Sequence, residues 1–320
     1  MTKARSQLIE EVCSQLEAAG FDLSSPCDVR PTCFDLVARK DDQLVLIKIL
    51  SNVDALTKED AETLQQVAQF FNATPLVIGK KTRRGVLDEN AVYKRYGIPT
   101  ITPISLRRIV TEQVLPREYI QRGGRFVAID GAKLRRVRLQ KRLTKQELAD
   151  YVQVSARAIL AYEKDEMDVS VEVAERLERV LETDLIIPID VFRDGGSDGP
   201  VERVGDTQDI PDLERRVNEF FEKLGMKVLW TNRAPFHVAA KEEGPPLMSG
   251  VGSLRSWSLR RRIQILKSVS EVTDAEAVLI VEEGQAEKCV SDVPVIRQLE
   301  LEDIHKPREL KRIIAERSEQ

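Results

Sequence analysis

No apolar run in this chain approaches the roughly 18 residues that a membrane-crossing helix requires, which excludes an α-helical membrane protein. The opening residues Met1 to Arg5 lead into an amphipathic pattern and not into a secretion signal, so a cytoplasmic location and no membrane partner are expected. Cysteine is scarce: Cys13, Cys27, Cys33 and Cys289 lack zinc-ligand spacing and read as incidental thiols in a reducing compartment. Only two histidines, His237 and His305, are available to join them, so neither a metal site nor a cofactor is expected. What remains is ordinary for a soluble globular protein, with 42% apolar and 32% charged residues. At 320 residues the chain is long enough for two or three domains.

The most informative stretch lies between residues 130 and 185. Thr144 followed three positions later by Glu147 is a capping box, which marks the start of a helix near 144–151. Leu148 and Ala149 face inward, and the small Ala149 lets a second helix approach. Ser155 is the next N-cap signal, opening a helix near 155–163 with Ile159 and Tyr162 on its buried side. Two short helices joined by a tight turn form a helix-turn-helix, whose second helix enters the DNA major groove. From Lys133 to Lys145 the chain carries Lys133, Arg135, Arg136, Arg138, Lys141, Arg142 and Lys145 with no acid, on a protein of net charge −4. Such a local basic patch is the electrostatic footprint of phosphate contact, although a solvated helix face has the same composition.

The pattern Thr-x-x-Glu-Leu-Ala, then Val-Ser-x-x-x-Ile-x-x-Tyr-Glu, within Leu134 to Leu181, resembles the Cro/C1 (Xre-type) helix-turn-helix family. That resemblance implies five helices, with a scaffold helix near 131–141 and a fourth near 169–181. It implies that Lys145 and Gln146 lie near phosphate, beside the basic Arg135, Arg138, Lys141 and Arg142. It places Ser155, Ala156, Arg157, Leu160, Ala161 and Lys164 at the DNA surface. Of the exposed residues on this helix, only Arg157 can make a bidentate base contact, most naturally to guanine, while Ala156, Leu160 and Ala161 can touch thymine methyls. Gln153 stands where the family usually has a turn glycine, at a cost of about 1 kcal/mol if the position is left-handed. Base readout is accordingly weaker than in a typical repressor, and DNA shape or a partner protein supplies the rest.

The flanks read as two small α/β domains. In the first, residues 1–120, a helical stripe of Leu8, Val12, Leu16 and Ala19 ends at Gly20. Strands follow at Phe34–Ala38 and Leu44–Leu50, then a helix from Asp60 to Phe71, a strand at Pro75–Gly79 and a final helix at Ser105–Ile109. Residues 210–320 repeat this order some 200 positions later. Gly225 matches Gly20, Phe236–Lys241 matches Phe34–Arg39, Ala277–Val281 matches Pro75–Gly79, and Val293–Ile296 matches Ile98–Ile101. Two copies of one domain, or two domains sharing generic patterning, both fit. Gln121–Arg125 and residues 193–209 read as linkers. Leu254–Arg262, holding Trp257, is a second basic stretch, either an auxiliary nucleic-acid or partner surface or a solvated helix with one core tryptophan.

The first domain resembles the restriction-endonuclease-like core, in which an acid and a later Glu-x-Lys hold metal beside the scissile phosphate. Asp35 and Lys48 occupy such positions, but the residue two before Lys48 is Leu46, and a hard cation needs more than one carboxylate. In the second copy the aspartate position is His237. No catalytic residue is therefore assigned, and the bland reading of Lys48 is a strand-end lysine paired with Asp35. The arrangement as a whole resembles a family of archaeal HTH-type transcriptional regulatory proteins, carried by Cys33–Lys40, Leu46–Leu50, Arg122–Arg125 and Met167–Ala174. The expected architecture is thus α/β and all-α multidomain: a five-helix Xre-type unit at 125–192 flanked by two small α/β, endonuclease-like domains. The expected function is transcription regulation on double-stranded DNA, as a homodimer and with the transcription machinery as a further partner. A nuclease using the first domain and a scaffold that no longer reads DNA are the alternatives.

Overall fold

The computed structural model describes residues 3–121, 123–193, 211–242, 244–254, 257–282 and 287–318. The first unit begins with α1 (Lys3–Ala18), β1 (Asp22–Leu23), β2 (Leu36–Lys40) and β3 (Gln43–Asn52). It continues through α2 (Lys58–Phe71), β4 (Thr74–Thr82), β5 (Gly85–Val86), β6 (Ala91–Arg95), β7 (Ile98–Ile101) and α3 (Pro103–Glu112). Next come β8 (Glu118–Gln121) and β9 (Gly124–Ile129), then α4 (Gly131–Gln140), α5 (Lys145–Val152), α6 (Ala156–Tyr162), β10 (Val169–Ser170), α7 (Val171–Leu181) and β11 (Ile186–Ile187). The last unit holds α8 (Asp212–Lys223), β12 (Lys227–Trp230), β13 (Val238–Lys241), β14 (Leu247–Gly252) and α9 (Trp257–Thr273). It closes with β15 (Glu276–Val281), β16 (Cys289–Val290), β17 (Val293–Arg297) and α10 (Pro307–Ser318).

The two α/β units have the same sheet. The first runs β1-β2-β3-β4-β7-β6 and the second β12-β13-β14-β15-β17-β16. In both, the first two pairings are antiparallel, the next two parallel and the last antiparallel. Strand β3 is apolar on both faces, the signature of a strand covered on either side. Val45, Ile47 and Ile49 pack with Leu8, Val12 and Leu16 of α1 and Leu106 of α3, whereas Leu46 faces the opposite way. That opposite face is shared. Residues of α2 and α9 join one core with Leu46, Val77, Met248 and Leu279, so the two helices lie between the two sheets. Helices α8 and α10 cover the far side of the second sheet through Val217, Phe221, Leu310 and Ile314.

Contacts across this shared core come in matched pairs. Arg39, at the end of β2, donates to the Val272 carbonyl at the end of α9 over 2.6 Å. Lys241, at the end of β13, donates to the Phe70 carbonyl at the end of α2 over 2.6 Å. Each cation meets the last carbonyls of the opposite helix, where the helix dipole is negative. Phe71 and Phe236 meet ring to ring at 5.8 Å.

Two connections differ from expectation. Residues 121–125 are not a free linker: Gln121 pairs with Gly124, so β8 and β9 form a hairpin, and β8 extends the first sheet through β6. The helical unit itself holds four helices among the described residues, not five. After α7, Glu182 turns left-handed at φ 51°, and Ile186 and Ile187 then pair with β9 as β11. β-branched residues followed by Pro188 favour a strand here and stop any continuing helix. The chain then returns to the first unit, where Phe192 meets Phe21 at 5.6 Å and Ile189 N–H donates to the Pro116 carbonyl. The helical unit is therefore clamped to the first sheet at both ends. The acidic stretch expected as a tether at 193–209 lies outside the described residues except for Arg193.

Candidate nucleic-acid interface

The helix-turn-helix is built from its caps. Thr144 Oγ1 accepts from Glu147 N–H at 3.1 Å, and Glu147 Oε2 accepts from Thr144 N–H at 2.7 Å, completing the capping box. The Thr144 backbone N–H, and after it the Thr144 hydroxyl donating to Glu147 Oε2 at 2.8 Å, hold the Glu147 carboxyl below its usual range. Ser155 Oγ accepts from Ala158 N–H at 3.1 Å and starts α6. Between them Gln153 is left-handed, at φ 58° and ψ 48°, the position expected of a turn glycine. Leu148, Ala149, Val152, Ile159 and Tyr162 are buried together, and Ala149 is what permits the close approach of α5 and α6. Gly131 has a similar role for α4: a Cβ there would meet the Tyr162 carbonyl oxygen at 2.3 Å.

This packing sorts the expected DNA-contacting residues. Arg157 and Lys164 are exposed on α6 and just beyond it, Leu160 is 36% exposed, and Ala156 and Ala161 are half-buried. Lys145 and Gln146 stand at the start of α5, with Gln146 bonded to Asp150 at 2.8 Å. Arg135 and Arg142 are exposed, and Arg142 is left-handed at φ 56°. Lys141 is exposed but paired with Glu182 at 2.8 Å, which lowers the Glu182 carboxyl. Ser155 is occupied as the cap.

Arg138 is a correction. It is buried, with Nε and Nη2 donating to the two Glu163 oxygens at 2.5 and 3.2 Å and Nη1 to the Leu143 carbonyl at 2.8 Å. It ties α4 to the end of α6 and to the turn before α5, and no phosphate can reach it. The only signal was Glu163 itself, at the end of the Ile-x-x-Tyr-Glu pattern. Within the basic run Lys133 also bonds inward, to the Asp184 carbonyl at 2.7 Å. The free cations of the run are therefore Arg135, Arg136, Arg142 and Lys145 among the described residues.

The endonuclease-like position is a second test. Asp35 is fully buried, and its Oδ2 accepts from Ile49 N–H at 2.7 Å. Its Oδ1 accepts from Arg5 at 2.6 Å and from Arg30 at 3.2 Å. Lys48 does not pair with it directly: Nζ donates to the Thr32 carbonyl, and burial lowers the ammonium's pKa. Leu46, where a second carboxylate would stand, is buried apolar core. One carboxylate held by two guanidinium groups does not fit a divalent cation, which needs several oxygen ligands free of competing cations. In the second unit His237 takes the aspartate's place. Its Nδ1 accepts from Val251 N–H at 2.9 Å, as Asp35 accepts from Ile49, and its Nε2 lies 2.8 Å from Arg262. Burial, then the Arg262 charge, pushes its pKa down to about 3. Among the described residues no cluster of metal-ligating groups is present.

Where it is described, the second basic stretch is paired: Arg260 and Arg261 stay exposed and Arg262 is half-buried. Arg261 pairs with Asp28 of the first unit, Arg262 faces His237, and Arg260 bonds the Leu254 carbonyl at 2.8 Å. No described helix is long and apolar enough to cross a membrane.

Comparison with known proteins agrees with this division. Residues 5–116 match a PD-(D/E)XK superfamily domain, and residues 134–186 match a helix-turn-helix model. A Thermococcus kodakarensis protein named "Putative HTH-type transcriptional regulatory protein" is 34% identical, covering 97% of this chain and 95% of its own. Namesakes from Pyrococcus furiosus and Methanococcoides burtonii are 35% and 33% identical, each covering 98% of both chains. No solved structure matches. Because these likenesses run the full length of the chain, through both α/β units and the helices between them, the protein belongs to the archaeal family of HTH-type transcriptional regulatory proteins.

Proposed function

We propose that this protein regulates transcription from the cytoplasm as a homodimer on double-stranded DNA. Helix α6 enters the major groove, with Arg157 directed at guanine and Leu160 and Ala161 at thymine methyls. Lys145, Gln146, Lys164, Arg135 and Arg142 meet phosphate. The observation that carries this reading is the cap-defined α5–α6 pair, which leaves Arg157 exposed on a helix otherwise fixed by its core. One unit contacts one half-site, and a dimer sets two of them about 34–36 Å apart. Contact with the transcription machinery fits a reading face too sparse to select a site alone. A gel-shift series tests the readout: Arg157→Ala is expected to relax specificity more than it lowers non-specific affinity, and equal loss on target and random duplexes would refute it. Sedimentation of the complex on a two-half-site duplex tests the dimer; one protomer per duplex would sink it.

We further propose that the endonuclease-like unit is a scaffold and not an enzyme. The guanidinium clamp on Asp35 and the apolar Leu46 support this. Magnesium-dependent cleavage by the wild type that is lost in Asp35→Ala would overturn it.

A further inference from the structure

Outside the helix-turn-helix, unpaired positive charge gathers on the first unit at the β4–β5 hairpin. Strand β4 outruns β7, which pairs only with Val77 and Ile78, and turns back so that Thr82 faces Gly85. Both residues of the turn, Arg83 and Arg84, are arginine. With Lys81 they are exposed, and their side chains have no partner among the described residues. Arg83 and Arg84 border a groove of about 950 Å³ whose other charged walls are Lys94, Arg95 and one carboxylate, Asp54. That carboxylate is already occupied: it accepts from Arg83 N–H at 2.8 Å and pairs with Arg95 at 3.0 Å. It fixes both sides of the groove and leaves Arg83, Arg84 and Lys94 around it. The buried Nε of Arg95 has no hydrogen-bond partner. At its far end the groove reaches Ile120 and Gln121, and Gln121 donates to Asp168 at 3.4 Å, in the segment that follows α6.

We propose that this groove is a second DNA-contact surface, holding the phosphate backbone of the duplex flanking the half-site that α6 reads. The proposal rests on the helix-turn-helix reading and extends it. The acidic chain as a whole repels a polyanion, so a groove lined by three cations without an acidic partner is the exception that calls for one. Duplex is favoured over single strand because the groove offers no run of stacking rings. Tyr93 is half-buried with its hydroxyl bonded to Asp88 N–H at 2.8 Å, which leaves Tyr96, 52% exposed, as the one open ring among the lining residues. The hairpin is joined to the helical unit through one continuous sheet, β4-β7-β6-β8-β9.

The test uses the full chain and a mixed-sequence duplex of about 30 base pairs, roughly three helical turns. Affinity is followed by fluorescence anisotropy across a salt series. Each lost phosphate contact flattens the slope of log K against log salt by about 0.9. Arg83→Ala combined with Arg84→Ala is expected to flatten it by about 2, with an unchanged melting temperature since both residues are exposed, and lysine at both positions should restore it. An unchanged slope in the double variant, with Lys145→Ala flattening it by about 1, overturns the groove and leaves the helix-turn-helix standing. If neither variant alters the slope, both readings fail. Lost affinity for a single-stranded oligonucleotide with duplex affinity intact also overturns the proposal.

Discussion

At the scale of single residues, several positions record a conflict between side chain and backbone. Gln153 occupies a left-handed turn that glycine adopts without strain, and its Oε1 receives only a long 3.4 Å bond from Arg176. Gln153→Gly is expected to stabilise the protein by about 1 kcal/mol, read from chemical denaturation. His237 shows another conflict: both ring nitrogens face donors, Val251 N–H and Arg262, with Glu214 3.9 Å away. The folded pKa, near 3, lies below the ordinary value of 6.5, so acid protonates the unfolded chain first. The histidine's contribution is constant above about pH 6.5, declines as pH falls towards 3, and levels off below that. Comparing wild type with His237→Gln, the stability difference should carry this slope; parallel pH profiles would rule it out.

Elements show how much of the DNA-docking unit is internal architecture. Arg138 and Glu163 form a buried ion pair that locks α4 against the end of α6, with a third bond closing the turn before α5. Removing one partner strands the other charge in the core, so Arg138→Ala should cost about 3–5 kcal/mol. DNA binding is then expected to fall together with the helical unit's stability; binding lost at unchanged stability would restore Arg138 as a contact residue. The capping box, the serine cap and the inward Leu148, Ala149, Ile159 and Tyr162 were legible because each is a local pattern of three or four residues. Arg138 was misread for the same reason. A local pattern counts it as one more cation, and only the approach of Glu163 from 25 positions away removes it from the surface.

For the whole molecule, the decisive feature is the core shared by the two α/β units. Phe71 of the first unit packs on Phe236 of the second, and Arg39 and Lys241 cap each other's helices across the same surface. The inner faces of both sheets, with α2 and α9 between them, share one core. The two units should therefore unfold together. Phe71→Ala is expected to cost about 3–5 kcal/mol and to lower one common transition, followed by circular dichroism and by the fluorescence of Trp230 and Trp257, both in the second unit. Two separate transitions, with only the first unit's shifted, would show that the units are independent.

The main helices and strands of the two α/β units, the matching of residues 34–39 with 236–241, and the position of the helix-turn-helix pair follow from the sequence by itself, because periodicity and caps act over a few residues. What only the tertiary structure decided is where charge ends up. It buried Arg138, paired Arg261 with Asp28 and Arg262 with His237, clamped Asp35 between Arg5 and Arg30, and left Arg83 and Arg84 at the tip of a hairpin. Charges interact across space and not along the chain, so which cations face solvent is settled only when distant segments meet.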